Sequence, residues 1–176
     1  MTLLSHNELV ILAESGVITN VHHDSINASS IDIHLAPEIL VEEPGMMRVD
    51  YRARQPLNMR RASPTEILLA PGEFILASSV EQFNLPPTIS AQYRLKSSMA
   101  RIGLEHLNAG HADAGWNGSV LTLELKNVTQ YHTILLRPGD AIGQMVFFRH
   151  EAVPADRSYA ARGRYNGDGS VSGIKE

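Results

Sequence analysis

Two stretches of this chain match in order, Ile67-Leu68-Leu69-Ala70-Pro71-Gly72-Glu73 and Ile134-Leu135-Leu136-Arg137-Pro138-Gly139-Asp140, and each runs on into further apolar residues. Proline fixes φ near the value that the first corner of a turn needs, and glycine accepts the positive φ that the second corner can demand. Each stretch therefore predicts a strand, a Pro-Gly turn and a second strand. Two copies so far apart do not make a repeat architecture; antiparallel strands that meet at similar turns account for them.

The rest of the pattern agrees. Ile31, Ile33 and Leu35 alternate with Asp32 and His34, and strand-like runs recur at Ile89 to Leu95 and at Ser119 to Leu125. A period of two marks a half-buried strand. One helix opens the chain: Ser5 is placed to cap it, Glu8 completes a capping box, and Leu9, Val10, Leu12 and Ala13 supply an apolar face before Gly16 stops it. Residues 42 to 66 hold Pro44, Gly45, Pro56 and Pro64 with Arg48, Arg52, Arg54, Arg60 and Arg61. They read as an excursion with weak regular structure, either a solvated surface segment or a phosphate-attracting arm. From Arg162 the chain carries Gly163, Gly167, Gly169 and Gly173 among polar residues, too polar and glycine-rich to form core, and is expected to be a mobile arm or a lid. Short strands, close turns and one early helix predict a mainly β chain, a compact barrel or jelly roll.

Composition bounds the chemistry. The 176 residues, 43% of them hydrophobic, suit one domain with a real core. A formal charge of −4 supplies no general basic field for nucleic acid or an anionic membrane. No membrane span or secretory leader is visible. The cysteine count is zero, which removes disulfides, thiol nucleophiles and every cysteine-liganded zinc site, including that of the zinc-dependent base deaminases. It also fits a cytoplasmic protein. Chemistry must come from carboxylates, hydroxyls, histidines, basic groups and backbone dipoles.

Four constellations could carry it. Lys96-Ser97-Ser98-Met99-Ala100-Arg101 follows a strand and offers a fixed cation, two hydroxyls and free amide N–H groups, a cradle for phosphate oxygens or an ordinary capped turn. Ala109 to Gly118 is a glycine-punctuated loop with Asp113 and the sole tryptophan, Trp116. The ring can pack against a sugar or base or can anchor the core, and the carboxylate can hold a hydroxyl or orient a water. His106, His111 and Asp113 lack the spacing of a metal site. Glu124 sits between leucines in Leu121-Thr122-Leu123-Glu124-Leu125. It either faces solvent as the polar half of the alternation, which periodicity favours, or enters a pocket where desolvation raises its pKa. Gln144, and the tail with Tyr159, Arg164, Tyr165 and Asp168, complete the set; an arginine with aromatic neighbours suits a nucleotide's phosphate and ring.

Taken together and in this order, these segments resemble the dCTP deaminase family, a branch of the trimeric dUTPase superfamily. The likeness is carried by Ser29-Ser30-Ile31-Asp32-Ile33-His34-Leu35, by Phe83-Asn84-Leu85-Pro86 before the Lys96 to Leu104 block, by Asp113-Ala114-Gly115-Trp116-Asn117-Gly118 leading to Thr122-Leu123-Glu124-Leu125, by Pro138 to Gln144, and by Arg164-Tyr165-Asn166-Gly167-Asp168-Gly169. The resemblance implies a distorted jelly-roll, dUTPase-like β-barrel spanning residues 1–176, with residues 159–176 as a flexible closing arm. It implies a homotrimer with active sites between subunits. Glu124 matches the glutamate that takes a proton from the attacking water, protonates cytosine N3 and helps ammonia leave C4, so here the resemblance overrides the solvent-facing reading. Arg101 matches the arginine that supports this glutamate and the base, and Ser97 a serine near the reacting centre. Lys96 and Ser98 match the triphosphate cradle. Gln144, Tyr159 and Arg164 match groups that hold phosphates in the closed state, with Asp168 in the same arm. Ala109, Asp113 and Trp116 belong to the block around base and deoxyribose. Mg²⁺ is expected to travel with the triphosphate and not to activate the water; no residue is expected to bind a metal directly, and no zinc is needed.

Some residues depart from the family pattern. Leu95 stands where many relatives have Gly, and Asp168 where a Gln is common. An acid in the arm repels phosphate unless Mg²⁺ or Arg164 intervenes. His111 and Ala112 replace bulkier apolar residues, which alters the base pocket and brings 5-substituted dCTP within the expected substrates. The Asp113 to Gly118 block lies one residue early, balanced by one extra residue before Glu124. Such a slip reverses strand faces unless a bulge absorbs it. The leading expectation is hydrolytic deamination of dCTP, or a 5-substituted dCTP, to the corresponding deoxyuridine triphosphate and ammonia in the cytoplasm, without nucleic-acid or membrane partners. The rivals are dUTP pyrophosphohydrolysis, alone or after deamination, with Asp113 orienting water, and a non-catalytic nucleotide-sensing module.

Overall fold

The computed structural model describes residues 1–45 and 48–175. Its strands and α-helices run β1 (Thr2–Leu3), α1 (His6–Glu14), β2 (Ile18–Thr19), β3 (Ile31–His34), β4 (Ile39–Glu42), β5 (Met59–Ala62), β6 (Ile67–Leu69), β7 (Phe74–Asn84), β8 (Ile89–Leu95), α2 (Ser97–Arg101), β9 (Leu104–Glu105), β10 (His111–Ala112), β11 (Asn117–Asn127), β12 (Ile134–Leu136), β13 (Ala141–Arg149) and α3 (Tyr159–Arg162).

The two Pro-Gly stretches turn by one device. Glu73 N–H donates to the Ala70 carbonyl at 3.1 Å and Asp140 N–H to that of Arg137 at 3.0 Å, with φ at +81° for Gly72 and +90° for Gly139. Each acid then accepts in return: Ala70 N–H donates to the Glu73 carboxylate at 2.6 Å, and Arg137 N–H to that of Asp140 at 2.7 Å. The strands before the two turns are partners. β6 and β12 pair antiparallel, Ile67 against Leu136 and Leu69 against Ile134.

All strand pairs are antiparallel and fall into two larger sheets and this ribbon. In one sheet β13 is flanked by β8 on one side and by β1 and β3 on the other, with β10 beyond β8. The other runs β5-β4-β7-β11-β9, with β2 also on β7. The two sheets share a single core, in which Ile31, Ile33, Tyr93, Met145 and Phe147 of the first meet Ile75, Phe83, Leu121, Leu123 and Leu125 of the second, with Leu9 and Leu12 of α1 against them. Alternation along β3, β8 and β11 produces this division, whereas β7 is buried on both faces from Ile75 to Ser79. The chain is thus mainly β with jelly-roll-like sheets, as the strand and turn pattern requires. The helix is as predicted: Ser5 N–H donates to the Glu8 carboxylate at 3.0 Å, and Gly16 ends the turn at φ +78°.

One expectation is corrected here. The excursion from 42 to 66 contains a regular strand, β5, which pairs with β4 from Ile39–Ala62 to Glu42–Met59. Arg60 and Arg61 point at acids of their own chain, Glu43 at 2.7 Å and Glu38, which favours the surface reading of this segment over a phosphate arm. Among the described residues, no helix is long and apolar enough to cross a membrane.

Candidate active site

β11 positions Glu124. Leu121, Leu123 and Leu125 enter the core, so Val120, Thr122 and Glu124 share the opposite face. The sequence alternation placed Glu124 on that outer face correctly. The face is not left to solvent, because the C-terminal arm lies across it. Trp116 Nε1–H donates to the Tyr165 carbonyl at 2.8 Å, Gly167 N–H to that of Asn117 at 3.0 Å, and Val120 N–H to that of Asp168 at 2.8 Å. Val171 is fully buried against Leu40 and Leu76, and Arg61 donates to its carbonyl at 3.2 Å. The expectation that the tail forms no core is therefore wrong at Val171, an isolated apolar residue whose covering strands lie far away in sequence.

β11 carries a bulge between the Asp113 to Gly118 block and Glu124. β11 pairs Asn117 with Asn84 and then Ser119 with Phe83, which leaves Gly118, at φ +64°, as a one-residue bulge. Inward-facing residues switch from Trp116 to Ser119 and Leu121 across it. Trp116 stays in the core, its ring stacked on Phe83 with centroids 5.2 Å apart, and also walls the space above Glu124. The core-anchor reading of the tryptophan holds.

Arm and sheet form a half-open cavity of about 320 Å³, lined by Ala109, His111, Asp113, Trp116, Glu124, Tyr159, Tyr165 and Asp168, with Ser172 to Ile174 from the end of the arm. That is the lower end of the range for small-molecule pockets. Three carboxylates face it, and two have partners. Asp113 meets His111 Nε2 at 3.1 Å; Asp168 accepts from Ser172 Oγ at 3.0 Å and pairs with Lys175. Among the described residues, no other side chain hydrogen-bonds to that of Glu124. Burial pushes its pKa up, and an interaction with its own backbone offsets only part of this. The Tyr159 phenol is also raised by burial. Among the described residues, no lysine or arginine lines the cavity.

The cationic groups gather elsewhere. Asp32 on β3 accepts from Lys96 Nζ at 2.5 Å, from Asn27 Nδ2 at 2.8 Å and from Gln144 Nε2 at 3.3 Å. Burial alone raises this carboxyl, but those three donors outweigh it and hold it below its ordinary value. β13 sets the arrangement, since Gln144 is the direct register partner of Asp32 on one side and of Arg94 on the other. Lys96 caps α2, on which Ser97, Ser98 and Arg101 are exposed. Among the described residues, no hydrogen bond or ion pair joins Arg101 to Glu124, and no group of three or more His, Asp or Glu could hold a metal.

The sequence-predicted residues therefore divide. Ala109, Asp113, Trp116, Glu124, Tyr159 and Asp168 meet at the cavity. Lys96 and Gln144 meet at Asp32, with Ser97, Ser98 and Arg101 following on α2, and Arg164 lies exposed on the arm. Sequence reasoning missed Asn27, Ser172 and Lys175, and gave Asp32 no role. Asp32 was within the quoted alternating run, but Lys96, its ion partner, is 64 residues away and no local pattern links them.

The family model described as dCTP deaminase-like matches residues 3–150 of this chain. A "dCTP deaminase, dUMP-forming" of Thermobifida fusca (strain YX) is 37% identical over 175 residues, covering 94% of this chain and 88% of that protein. One of the same name from Nocardioides sp. (strain ATCC BAA-499 / JS614) is 36% identical, covering 94% and 90%. Among solved structures, the 2'-deoxycytidine 5'-triphosphate deaminase of Agrobacterium tumefaciens superposes with a TM-score of 0.68 at 19% identity, covering 86% of this chain. The present chain spans about half the length of that one, 49%, and the likeness is one of fold.

Proposed function

This chain belongs to the dCTP deaminase-like family, and from that membership we propose that it hydrolyses the C4 amine of dCTP or a 5-substituted dCTP, releasing ammonia and a deoxyuridine nucleotide. The observation that carries the reading is Glu124: half-buried, facing a half-open cavity under the arm, and without a cation beside it. A carboxylate so placed is a stronger base than one in water, and a pKa raised toward the working pH lets one group both take up and hand on a proton. It takes a proton from water as the oxygen attacks C4, and passes it to N3. The C4–N bond then breaks, and the second proton of the water leaves with ammonia. Water plus dCTP gives dUTP plus ammonia, with no metal assigned to the reacting carbon.

The phosphates need another surface. Beside an unpaired carboxylate, each unit of phosphate charge at about 5 Å costs on the order of 3 kcal/mol at an effective dielectric of 20. Lys96, Ser97, Ser98, Arg101 and Gln144 have the donor chemistry for a triphosphate, and they lie outside the Glu124 cavity. In the proposed homotrimer, one copy supplies the cavity and a neighbour the cradle, with Tyr159 and Arg164 closing from the arm. Mg²⁺ enters as part of the nucleotide, reducing its charge.

A second step is favoured by the dUMP-forming relatives and by Asp113, which faces the same cavity. Asp113 would orient a water toward the α-phosphorus, giving dUMP and pyrophosphate from dUTP. Purified protein with Mg²⁺ and dCTP, 5-methyl-dCTP or dUTP, assayed separately for ammonia and pyrophosphate, tests both steps. Ammonia from a cytosine nucleotide is expected, and pyrophosphate from dCTP or dUTP if the second step runs. Bound nucleotide with neither product would make the chain a sensor and overturn the proposal.

A further inference from the structure

Asp168 stands where a phosphate-facing role was expected, yet its carboxylate is turned to its own arm. Its backbone is pinned to β11: Val120 N–H donates to its carbonyl at 2.8 Å, and its N–H donates to Ser119 Oγ at 3.2 Å. Its side chain collects the last described residues, accepting from Ser172 Oγ at 3.0 Å and pairing with Lys175. Lys175 Nζ also donates to the Arg164 carbonyl at 3.3 Å and lies 5.5 Å from the centre of the Tyr165 ring. The Asp168 side chain is only 12% exposed, so this ion pair is better shielded from water than the surface pairs elsewhere on the chain. Residues 172 to 174, which wall the Glu124 cavity, are thus tied at one end by buried Val171 and at the other by Lys175.

We propose that Asp168 and Lys175 form a latch that holds residues 172 to 174 closed over Glu124, and that both are positioning residues for deamination rather than contacts to the phosphates. The inference rests on the proposed role of Glu124. Closing the segment withholds bulk water from the carboxylate, and pairing removes a second free negative charge from its surroundings. The other titratable groups facing Glu124 cannot stand in for the latch. Asp113 is tied to His111; Tyr159 and Tyr165 are phenols; and Tyr93, on β8, is kept protonated by burial and then by Glu124 itself.

The test uses Asp168→Asn, Lys175→Met and the charge-swapped pair Asp168→Lys with Lys175→Asp in the full chain. Trp116 is the only tryptophan and walls the cavity, so acrylamide quenching of its emission reports opening without reference to activity. Each single substitution is expected to raise quenching about two-fold as the segment opens locally. In Asp168→Asn, which leaves no free carboxylate behind, opening returns water to Glu124 and lowers its pKa, so the acid limb of kcat moves to lower pH. A shift of half a unit raises the ratio of kcat at acid pH to kcat at alkaline pH about three-fold. The swapped pair is expected to restore both readouts toward the parent. Unchanged quenching, a quenching rise in Asp168→Asn with an unmoved acid limb, a failed swap, or a rise in KM for dCTP with both readouts unmoved would each overturn the latch, the last by making Lys175 or Asp168 a nucleotide contact. Ammonia release surviving in Glu124→Gln would instead overturn the role of Glu124, and the quenching result would still judge the closure itself.

Discussion

Glu81 and Glu124 are both withdrawn from water, and their partners distinguish them. Glu81 is 1% exposed, but its carboxylate accepts from the His34 backbone N–H at 3.0 Å and meets His34 Nδ1 at 2.7 Å. A buried acid satisfied in this way belongs to the structure. Glu124 is less covered and has no such donor, which leaves its lone pairs available to water and to a base. That availability has a thermodynamic consequence. Burial raises the folded-state pKa of Glu124 above its unfolded value, so between the two the folded chain binds more protons. Stability contributed by this group is therefore present below that window and lost as pH rises through it. Glu124→Gln is expected to abolish ammonia release while nucleotide binding persists, and to melt higher than the parent at neutral pH. The difference in Tm should shrink as pH falls through the carboxyl range, checked by thermal unfolding across a pH series. Equal melting at all pH values would contradict the assigned burial.

At the scale of elements, the Pro-Gly turns set the ends of the β6–β12 ribbon. Gly72 and Gly139 have positive φ and open space around them, so an added methyl group meets only backbone strain. Gly72→Ala and Gly139→Ala are each expected to cost about 1–2 kcal/mol in urea denaturation. Leu69 pairs with Ile134 and Ile67 with Leu136, so the turns leave the ribbon from opposite ends and their effects should add within about 0.5 kcal/mol. The bulge at Gly118 does a different job. It changes which β11 residues face inward, letting Trp116 and the Leu121, Leu123, Leu125 series all reach the core while Glu124 stays on the arm-covered face.

Over the whole molecule, the separation of the Glu124 cavity from the Lys96 cluster becomes a prediction about assembly. If neighbouring copies complete one another's sites, Glu124→Gln and Lys96→Met are each inactive alone but regain ammonia release when refolded together. Random mixing in a ring gives intact sites at about a quarter of interfaces. No recovery would mean that each chain carries its whole site. Strand positions, both Pro-Gly turns, the capped helix and the face of Glu124 were legible in the sequence, because turn chemistry and alternation are local and act within a few residues. The family likeness extended this to candidate residues in order. What covers Glu124, what Asp168 pairs with, and which candidates share a cavity were decided only by tertiary structure. Val171 beneath Leu40 and Leu76, Lys96 on Asp32, and the Trp116–Tyr165 bond each join residues tens of positions apart, where burial and pairing depend on the folded surface and not on the neighbouring sequence.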